Sequence, residues 1–231
     1  STSMLAEDLK PNRLEAAKDV AAEFINGRPN DNIGITLFAG ETFTQCPLTV
    51  DHAVLLDMIH NIKCGLITDG TAVGMGIANA VTRLKDSKAK SKVIILLTDG
   101  TNNKGDISPM TAAEIAKSFG IRVYTIGVGT NGMAPYPYPV GNTVQYVSMP
   151  VEIDEKTLTE IAGTTDGNYF RATSNSKLKE VYEEIDKLEK TKLNVKEYSK
   201  RDEEYHWFAL AAFLCVLLEV LLRNSVLKKI P

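Results

Sequence analysis

Three short stretches of the sequence carry oxygen atoms of the kind that bind hard divalent cations. A Ser-x-Ser pair, Ser1 and Ser3, opens the chain, and Thr71 follows an Asp-Gly dipeptide. Asp99 comes directly after an apolar run, in the segment Leu-Leu-Thr-Asp-Gly. Hydroxyl and carboxylate oxygens suit Mg²⁺, which prefers octahedral geometry and keeps water in several positions. Because open α/β sheets bind ligands at the carboxyl ends of their strands, we expect these residues to meet there.

The elements that must position these residues are predicted from apolar periodicity and from capping and turn residues. The patterns predict helices over residues 12–26, 51–62, 71–85, 109–119, 154–162 and 178–193, and strands over residues 33–39, 42–46, 93–98, 121–128 and 168–172. Asn12 and Asp154 are expected to cap the helices that follow them, and Thr71 is expected to open another. Strands that alternate with helices indicate a doubly wound, mostly parallel α/β sheet with helices on both faces.

In this order, the motifs resemble the von Willebrand factor A (VWA) domain and its metal-ion-dependent adhesion site (MIDAS). That family carries D-x-S-x-S, then a distant Thr and a distant Asp. Ser1 and Ser3 match the two serines, Thr71 matches the threonine and Asp99 matches the later aspartate. The first Asp would stand two residues before Ser1 and has no counterpart. The resemblance covers about residues 1–190. It is closer to the bacterial aerotolerance-operon membrane proteins (Bat type, BatA-like), through segments 3–13 and 69–74 and the strand before Asp99.

The resemblance implies a Rossmann-like VWA fold and a binding role. In this family a central first strand precedes D-x-S-x-S, and this chain lacks it, so segments 33–39 and 93–98 are expected to flank its place. The hydroxyls would hold Mg²⁺ or Mn²⁺, with Asp99 bound directly or through water and the missing Asp making binding weak or absent. An acidic side chain of a protein partner would complete the coordination. The partners implied are other subunits of a membrane complex, and no enzymatic activity is implied.

Two other functions use the same residues. A metal-assisted hydrolase or phosphotransferase could employ these oxygen ligands, but it would need a general base or nucleophile beside the ion, and the sequence indicates none. A structural membrane protein with a vestigial site is the third possibility. A G-x-G-x-x-G match at 127–132 does not predict a dinucleotide site, because the prolines that follow prevent the helix that the pyrophosphate needs.

Composition excludes some classes of ligand and partner. A formal net charge of −3 and a pI near 5.7 give no basic footprint for nucleic acid. No C-x-x-C spacing indicates zinc, and buried free thiols at Cys46 and Cys64 are preferred to a disulfide. The stretch 129–150, rich in Gly, Pro and Tyr, is either a functional loop or a hairpin that covers the sheet edge.

The last forty residues change in character. We expect a VWA-like domain over residues 1–190, truncated at its start, then a charged linker over 191–206 and a transmembrane helix over 207–227. The run 207–222 is broken only by Glu219, and extension past Arg223 brings it to the ~30 Å of the hydrocarbon core. Cationic residues beyond the helix favour a cytoplasmic C-terminus and a domain outside the cytoplasm. Together with this orientation, the resemblance implies a bacterial inner-membrane protein whose domain faces the periplasm. Because the chain begins with Ser and shows no signal peptide, it is expected to be a piece of a longer protein.

Overall fold

A computed structural model of the protein describes residues 1–141 and 143–199 and, further on, residues 209–210, 212–214, 216, 219–220 and 222. The chain divides into two compact units, Ser1–Glu189 and Lys190–Pro231. A short 3₁₀ turn, Thr2–Leu5, precedes the other helices and the strands. The helices are α1 Arg13–Asn26, α2 His52–His60, α3 Val73–Leu84, α4 Pro109–Ser118, α5 Glu155–Thr164 and α6 Asn175–Ser199. The strands are β1 Ile33–Phe38, β2 Thr42–Thr49, β3 Lys92–Thr98, β4 Ile121–Val128, β5 Met133–Val140, β6 Thr143–Pro150 and β7 Tyr169–Ala172.

The central layer is a parallel sheet with the strand order β3-β4-β7. In register, Lys92 pairs with Ile121 and Thr98 with Gly127, so β3 and β4 end at the same edge. β1 and β2 form an antiparallel hairpin, and β5 and β6 form another. Within the described chain β1 and β3 belong to different sheets, whereas the sequence predicted one doubly wound sheet with a missing strand between them. The predicted parallel sheet is confirmed for three strands.

Two apolar cores lie on opposite faces of the parallel sheet. On one face Ile94 and Leu96 of β3 pack with side chains of α3, α4 and α5, such as Ile77 and Ile161. On the other face Tyr124, Ile126 and Val128 of β4 pack with α1 and α6. Because β4 is apolar almost throughout and nearly wholly buried, its side chains can pack in both cores. The predicted helices on both faces of the sheet are therefore confirmed.

Helix ends follow the predicted caps at two of three places. The Asn12 side chain accepts from the backbone N–H of Glu15 at the start of α1, and Asp154 accepts from Thr157 at the start of α5. The expectation that Thr71 opens a helix is wrong. The α3 helix begins at Val73, and Ala72 at its N-cap position makes no side-chain capping bond. The N–H of Val73 donates to the side chain of Asn102 instead.

The 129–150 segment forms the β5–β6 hairpin, one of the two alternatives that the sequence left open. Cys46 and Cys64 are free thiols, as expected, but only Cys46 is buried and Cys64 is partly exposed. The α6 helix runs to Ser199, so the first part of the predicted linker is helical, and residues 200–206 lie outside the described chain.

Most of the predicted transmembrane segment, 207–227, also lies outside the described residues. The residues of it that are described are helical, and their large apolar side chains are exposed, namely Leu210, Phe213, Leu214, Val216, Val220 and Leu222. Within the described part of the chain, no helix combines the length and the apolar character that crossing a membrane requires.

Candidate metal centre

The Ser-x-Ser pair and Asp99 are in direct contact. Ser3 Oγ donates to Asp99 Oδ1 over 2.8 Å and lies 2.8 Å from Ser1 Oγ. The 3₁₀ turn brings the two hydroxyls together, and Ser1 caps it by accepting from the backbone N–H of Ser3. Asp99 directly follows β3, and it is 5% exposed. Three of the four predicted ligands therefore form one cluster of oxygen atoms at the carboxyl end of the parallel sheet.

Thr71, the fourth predicted ligand, lies beside the same strand end. A Cβ built on Gly100 would stand 3.5 Å from Thr71 Oγ1, so this hydroxyl faces the residue that follows Asp99. The backbone holds Thr71 there, because its C=O accepts from the N–H of Asn103 and its N–H donates to the Asn103 side chain. The loop after β3 and the loop before α3 thus form one unit around the site.

A buried arginine pairs with Asp99 from the other side. Arg13 donates from Nη1 to Asp99 Oδ2 over 2.9 Å, and its Nε and Nη2 each donate to Asp8 over 2.7 Å. The side chains of all three residues are at most 4% exposed. Asp8 also accepts from the N–H of Thr130, at the carboxyl end of β4. Two carboxylates thus share one guanidinium: Asp8 binds it in the bidentate geometry that arginine favours, and Asp99 accepts one hydrogen bond.

The pKa values of the pair reflect burial opposed by hydrogen bonding. Burial raises the pKa of the Asp8 carboxyl, but hydrogen bonds from Arg13 and from the Thr130 N–H outweigh it, and the net shift is downward from 3.8. Burial lowers the pKa of Arg13, and its bonds to Asp8 and Asp99 raise it above its usual range. Asp8 and Arg13 are therefore both held in their charged forms at neutral pH.

Asp69 ties the first turn of the chain to the Thr71 loop. It accepts from Thr2, through the backbone N–H over 2.9 Å and through Oγ1 over 2.7 Å. The bond from the Thr2 hydroxyl lowers the pKa of Asp69, against a small rise from burial. The β1–β2 turn packs closely on the same loop, since a Cβ on Gly40 would lie 2.8 Å from the Asp69 carbonyl oxygen. Asp69 therefore fixes the position of the serines relative to Thr71.

The donor set fits a hard cation in kind, though it carries little charge. It comprises three neutral hydroxyls and one carboxylate, whose second oxygen is paired with Arg13. Among the described residues, no group of three or more His, Cys, Asp or Glu side chains could hold a metal ion instead. Oxygen donors of this kind suit Mg²⁺ or Mn²⁺ better than softer metals. The single shared negative charge predicts weak binding.

Comparison with known proteins identifies the fold family. Residues 1–184 match the von Willebrand factor type A domain. The chain belongs to this family. The solved structures that resemble this VWA domain include an aerotolerance-related membrane protein from Bacteroides fragilis, with TM-score 0.70 and 32% identity over 81% of this chain and 92% of that one. They also include BatB from Bacteroides thetaiotaomicron, with TM-score 0.71 and 35% identity over 82% of this chain and 95% of that one. The expected similarity to Bat-type proteins is confirmed.

Relatives known from sequence are longer than this chain. An uncharacterized protein of Borreliella burgdorferi is 27% identical over 220 residues, which cover 95% of this chain and 64% of the relative. A UPF0353 protein of Nocardia farcinica is 32% identical over 204 residues, covering 80% of this chain and 59% of the relative. The VWA chain thus spans about three fifths of the length of these relatives.

The sequence did not reveal the roles of Arg13 and Asp8. Both lie in the segment that carried the family resemblance, but a spacing of five residues does not by itself indicate an ion pair. The only signal was that Arg13 follows a capping Asn12, at the first position of a helix, where a cation opposes the helix dipole. A cation at that position needs compensation, which the two carboxylates supply.

Proposed function

We propose that this VWA domain is a metal-ion-dependent protein-binding module. In it the hydroxyls of Ser1, Ser3 and Thr71 and the carboxylate of Asp99 hold Mg²⁺ or Mn²⁺. The main support is the 2.8 Å bond between Ser3 and Asp99, which joins residues 96 positions apart at the edge where α/β sheets bind ligands.

The arrangement favours recognition of an acidic side chain. A cation held by neutral hydroxyls keeps most of its charge and attracts a carboxylate from a partner. Arg13 keeps the Asp99 Oδ2 atom in a fixed position and leaves Oδ1 facing the serines. The Asp69–Thr2 contact holds the serines near that oxygen before any ion binds. The chain's own residues therefore preorganise the site, and the partner supplies the remaining ligand.

The relatives support a membrane setting for the proposed module. The Bacteroides fragilis structure is described as an aerotolerance-related membrane protein. We infer that the present VWA domain belongs to a bacterial inner-membrane protein of this type, anchored through residues 207–227, with the domain on the periplasmic side and with other subunits of a membrane complex as partners. A mussel byssus protein of the same fold, 24% identical, is described with zinc in its MIDAS motif, and at this identity it supports the fold alone.

The enzymatic alternative is not favoured by the geometry. A metal-assisted hydrolase needs a free base or nucleophile beside the ion. Among the carboxylates around the site, Asp8 and Asp99 are hydrogen-bonded to the Arg13 guanidinium, and Asp69 accepts two hydrogen bonds from Thr2. The Cys64 thiol donates to the Ser1 carbonyl, and burial raises the pKa of this thiol, so the reactive thiolate is disfavoured.

Titration with Mn²⁺ followed by electron paramagnetic resonance tests the proposed ligands. We expect the wild-type chain to bind Mn²⁺ with a dissociation constant above about 1 mM, since the ligand set holds a single carboxylate. Asp99→Asn and Ser3→Ala should abolish this binding. Asp106→Asn is the matched control, because Asp106 is exposed in the loop after β3 and undergoes the same chemical change. Equal Mn²⁺ binding by the wild type and Asp99→Asn would refute the ligand assignment.

A further inference from the structure

The β5–β6 hairpin is an uncharged surface that the proposed metal centre does not use. Its strands pair from Met133↔Pro150 to Val140↔Thr143. The sequence from 132 to 150 contains no Asp, Glu, Lys or Arg. Every residue of β6 is exposed, including large apolar side chains such as Val144 at 57% and Tyr146 at 60%. Large exposed apolar side chains gathered on one strand favour an interaction site.

The outer edge of β5 is closed to further strands. Along an antiparallel strand, residues point their backbone N–H and C=O alternately toward the paired strand and away from it. The Pro135 carbonyl accepts from the N–H of Glu7 over 2.9 Å, so this residue points away from β6. Pro137 and Pro139 share that orientation by alternation. Since proline has no N–H, these three positions offer no donor to another strand.

The outer edge of β6 is open. Gly132 and Val151 form the next pair beyond Met133↔Pro150, at the open end of the hairpin, and the Val151 N–H donates to the Gly132 carbonyl over 2.8 Å. Val151 therefore points its N–H toward the paired strand. By the same alternation, Val144, Tyr146 and Ser148 point their N–H and C=O groups outward. No backbone hydrogen bond to another segment of the described chain involves these three residues. An exposed, uncharged edge with free donors and acceptors is a template for strand addition.

We propose that the β6 edge pairs with β6 of a second copy of this chain. The two strands run antiparallel about a two-fold axis at Tyr146, so this residue faces its own equivalent. Val144 of each copy faces Ser148 of the partner subunit. In this register each outward N–H meets an outward C=O, and the two hairpins form one four-stranded sheet with the strand order β5-β6-β6-β5.

Three observations favour a second copy as the occupant. The outward donors lie symmetrically about Tyr146, so the edge is complementary to itself, as a two-fold interface requires. The hairpin carries no charge, so pairing identical strands places no like charges opposite each other. The prolines of β5 end the sheet on both sides, so the assembly stops at two copies and does not extend into a fibre.

The test combines sedimentation velocity with residue-resolved amide hydrogen exchange on the full chain in mild detergent. We expect a dimer whose fraction rises with concentration. At high concentration the amides of Val144, Tyr146 and Ser148 should exchange at least tenfold more slowly than at low concentration. The amides of Gln145 and Val147 face β5 and should be equally protected at both. This alternating pattern distinguishes strand pairing from association through the C-terminal residues.

Substitutions on the outer edge of β6 test whether this edge forms the dimer interface. Ser148→Pro removes an outward donor, and Tyr146→Lys places two ammonium groups opposite each other, so each should raise the dimer dissociation constant at least tenfold. Tyr146→Phe is the control. It loses only the hydrogen bond to Glu7 and should still dimerise. Circular dichroism checks the fold, and if Ser148→Pro disturbs the hairpin, Tyr146→Lys decides. A chain that is monomeric throughout, or a dimer insensitive to both variants, would overturn the proposal.

Discussion

Replacing Arg13 with methionine is expected to destabilise the domain strongly, because Arg13 neutralises two buried carboxylates. The side chains of Asp8 and Asp99 are 2% and 3% exposed. Removing one partner of a buried ion pair costs about 3–5 kcal/mol. Asp8 keeps the Thr130 N–H and Asp99 keeps the Ser3 hydroxyl, so the lower end of the range applies, about 3 kcal/mol. That is a large share of the ~5–15 kcal/mol that holds a typical domain folded.

The destabilisation depends on pH in a defined direction. In the wild type the folded-state pKa of Asp8 lies below 3.8, so its stabilising effect is fully present above pH 3.8 and is lost as the pH falls through the folded-state pKa. In Arg13→Met burial acts without the guanidinium, and the pKa of Asp8 rises. The variant therefore protonates Asp8 more readily, and the difference in stability between the two proteins is largest near neutral pH.

Urea unfolding at pH 7 and near pH 3.5 measures both effects. Arg83→Met is the matched control, since Arg83 is exposed and its loss should change the free energy of unfolding by less than ~0.5 kcal/mol. The same Arg13→Met variant should bind Mn²⁺ more tightly than the wild type, because Asp99 no longer shares its charge. If Arg13→Met lowers the free energy of unfolding by less than ~1 kcal/mol at pH 7, or if this decrease does not become smaller at low pH, the role given to Arg13 is refuted.

Three further predictions concern other parts of the chain. Adding about ten apolar residues that end in Asp, two positions before Ser1, should place a new central strand between β1 and β3. The new strand supplies backbone hydrogen bonds to both neighbours and the Asp supplies a second carboxylate, so we expect a sharper thermal transition and tighter Mn²⁺ binding. An unchanged melting profile would contradict the strand order. Glu189→Ala should lower stability by about 3 kcal/mol, because Arg122 and Tyr124 lose the buried carboxylate that they contact, whereas the exposed Glu183→Ala should change little; equal urea midpoints would contradict this. If residues 207–227 span a bilayer, Trp207 fluorescence should shift to the blue with lipid vesicles, and an unchanged spectrum in a chain that is monomeric in plain buffer would count against the span.

Elements with strong local signals were predictable from the sequence. The apolar run of β4 gave its bounds, and Asn12 and Asp154 marked the starts of α1 and α5, because caps act within three residues. The β5–β6 hairpin was left open between two alternatives. Its alternating prolines rule out a helix. Because proline has no N–H to donate, they permit a strand only at positions that point away from the pairing partner, and that depends on tertiary structure.

The place where the proposed ligands gather was predictable from the sequence, and the residues that support them were not. The residue types and order of Ser1, Ser3 and Asp99 pointed to one sheet edge, where the structure brings them together. The error at Thr71 arose because a side chain distant in sequence, that of Asn102, takes over the capping role at α3. Arg13 was missed for a related reason: its two carboxylate partners meet it only in the folded chain.

Paramagnetic relaxation by Mn²⁺ in amide NMR spectra locates a bound cation without requiring tight binding. Substoichiometric Mn²⁺ should broaden the amide signals of Ser3, Thr71 and Gly100, and excess EDTA should restore them. The amides of Lys92 and Ile121, at the opposite end of the parallel sheet, should stay sharp. Asp99→Asn should remove the selective broadening. Broadening centred elsewhere, or equal at both ends of the sheet in the wild type, would contradict a metal centre at the carboxyl end of β3.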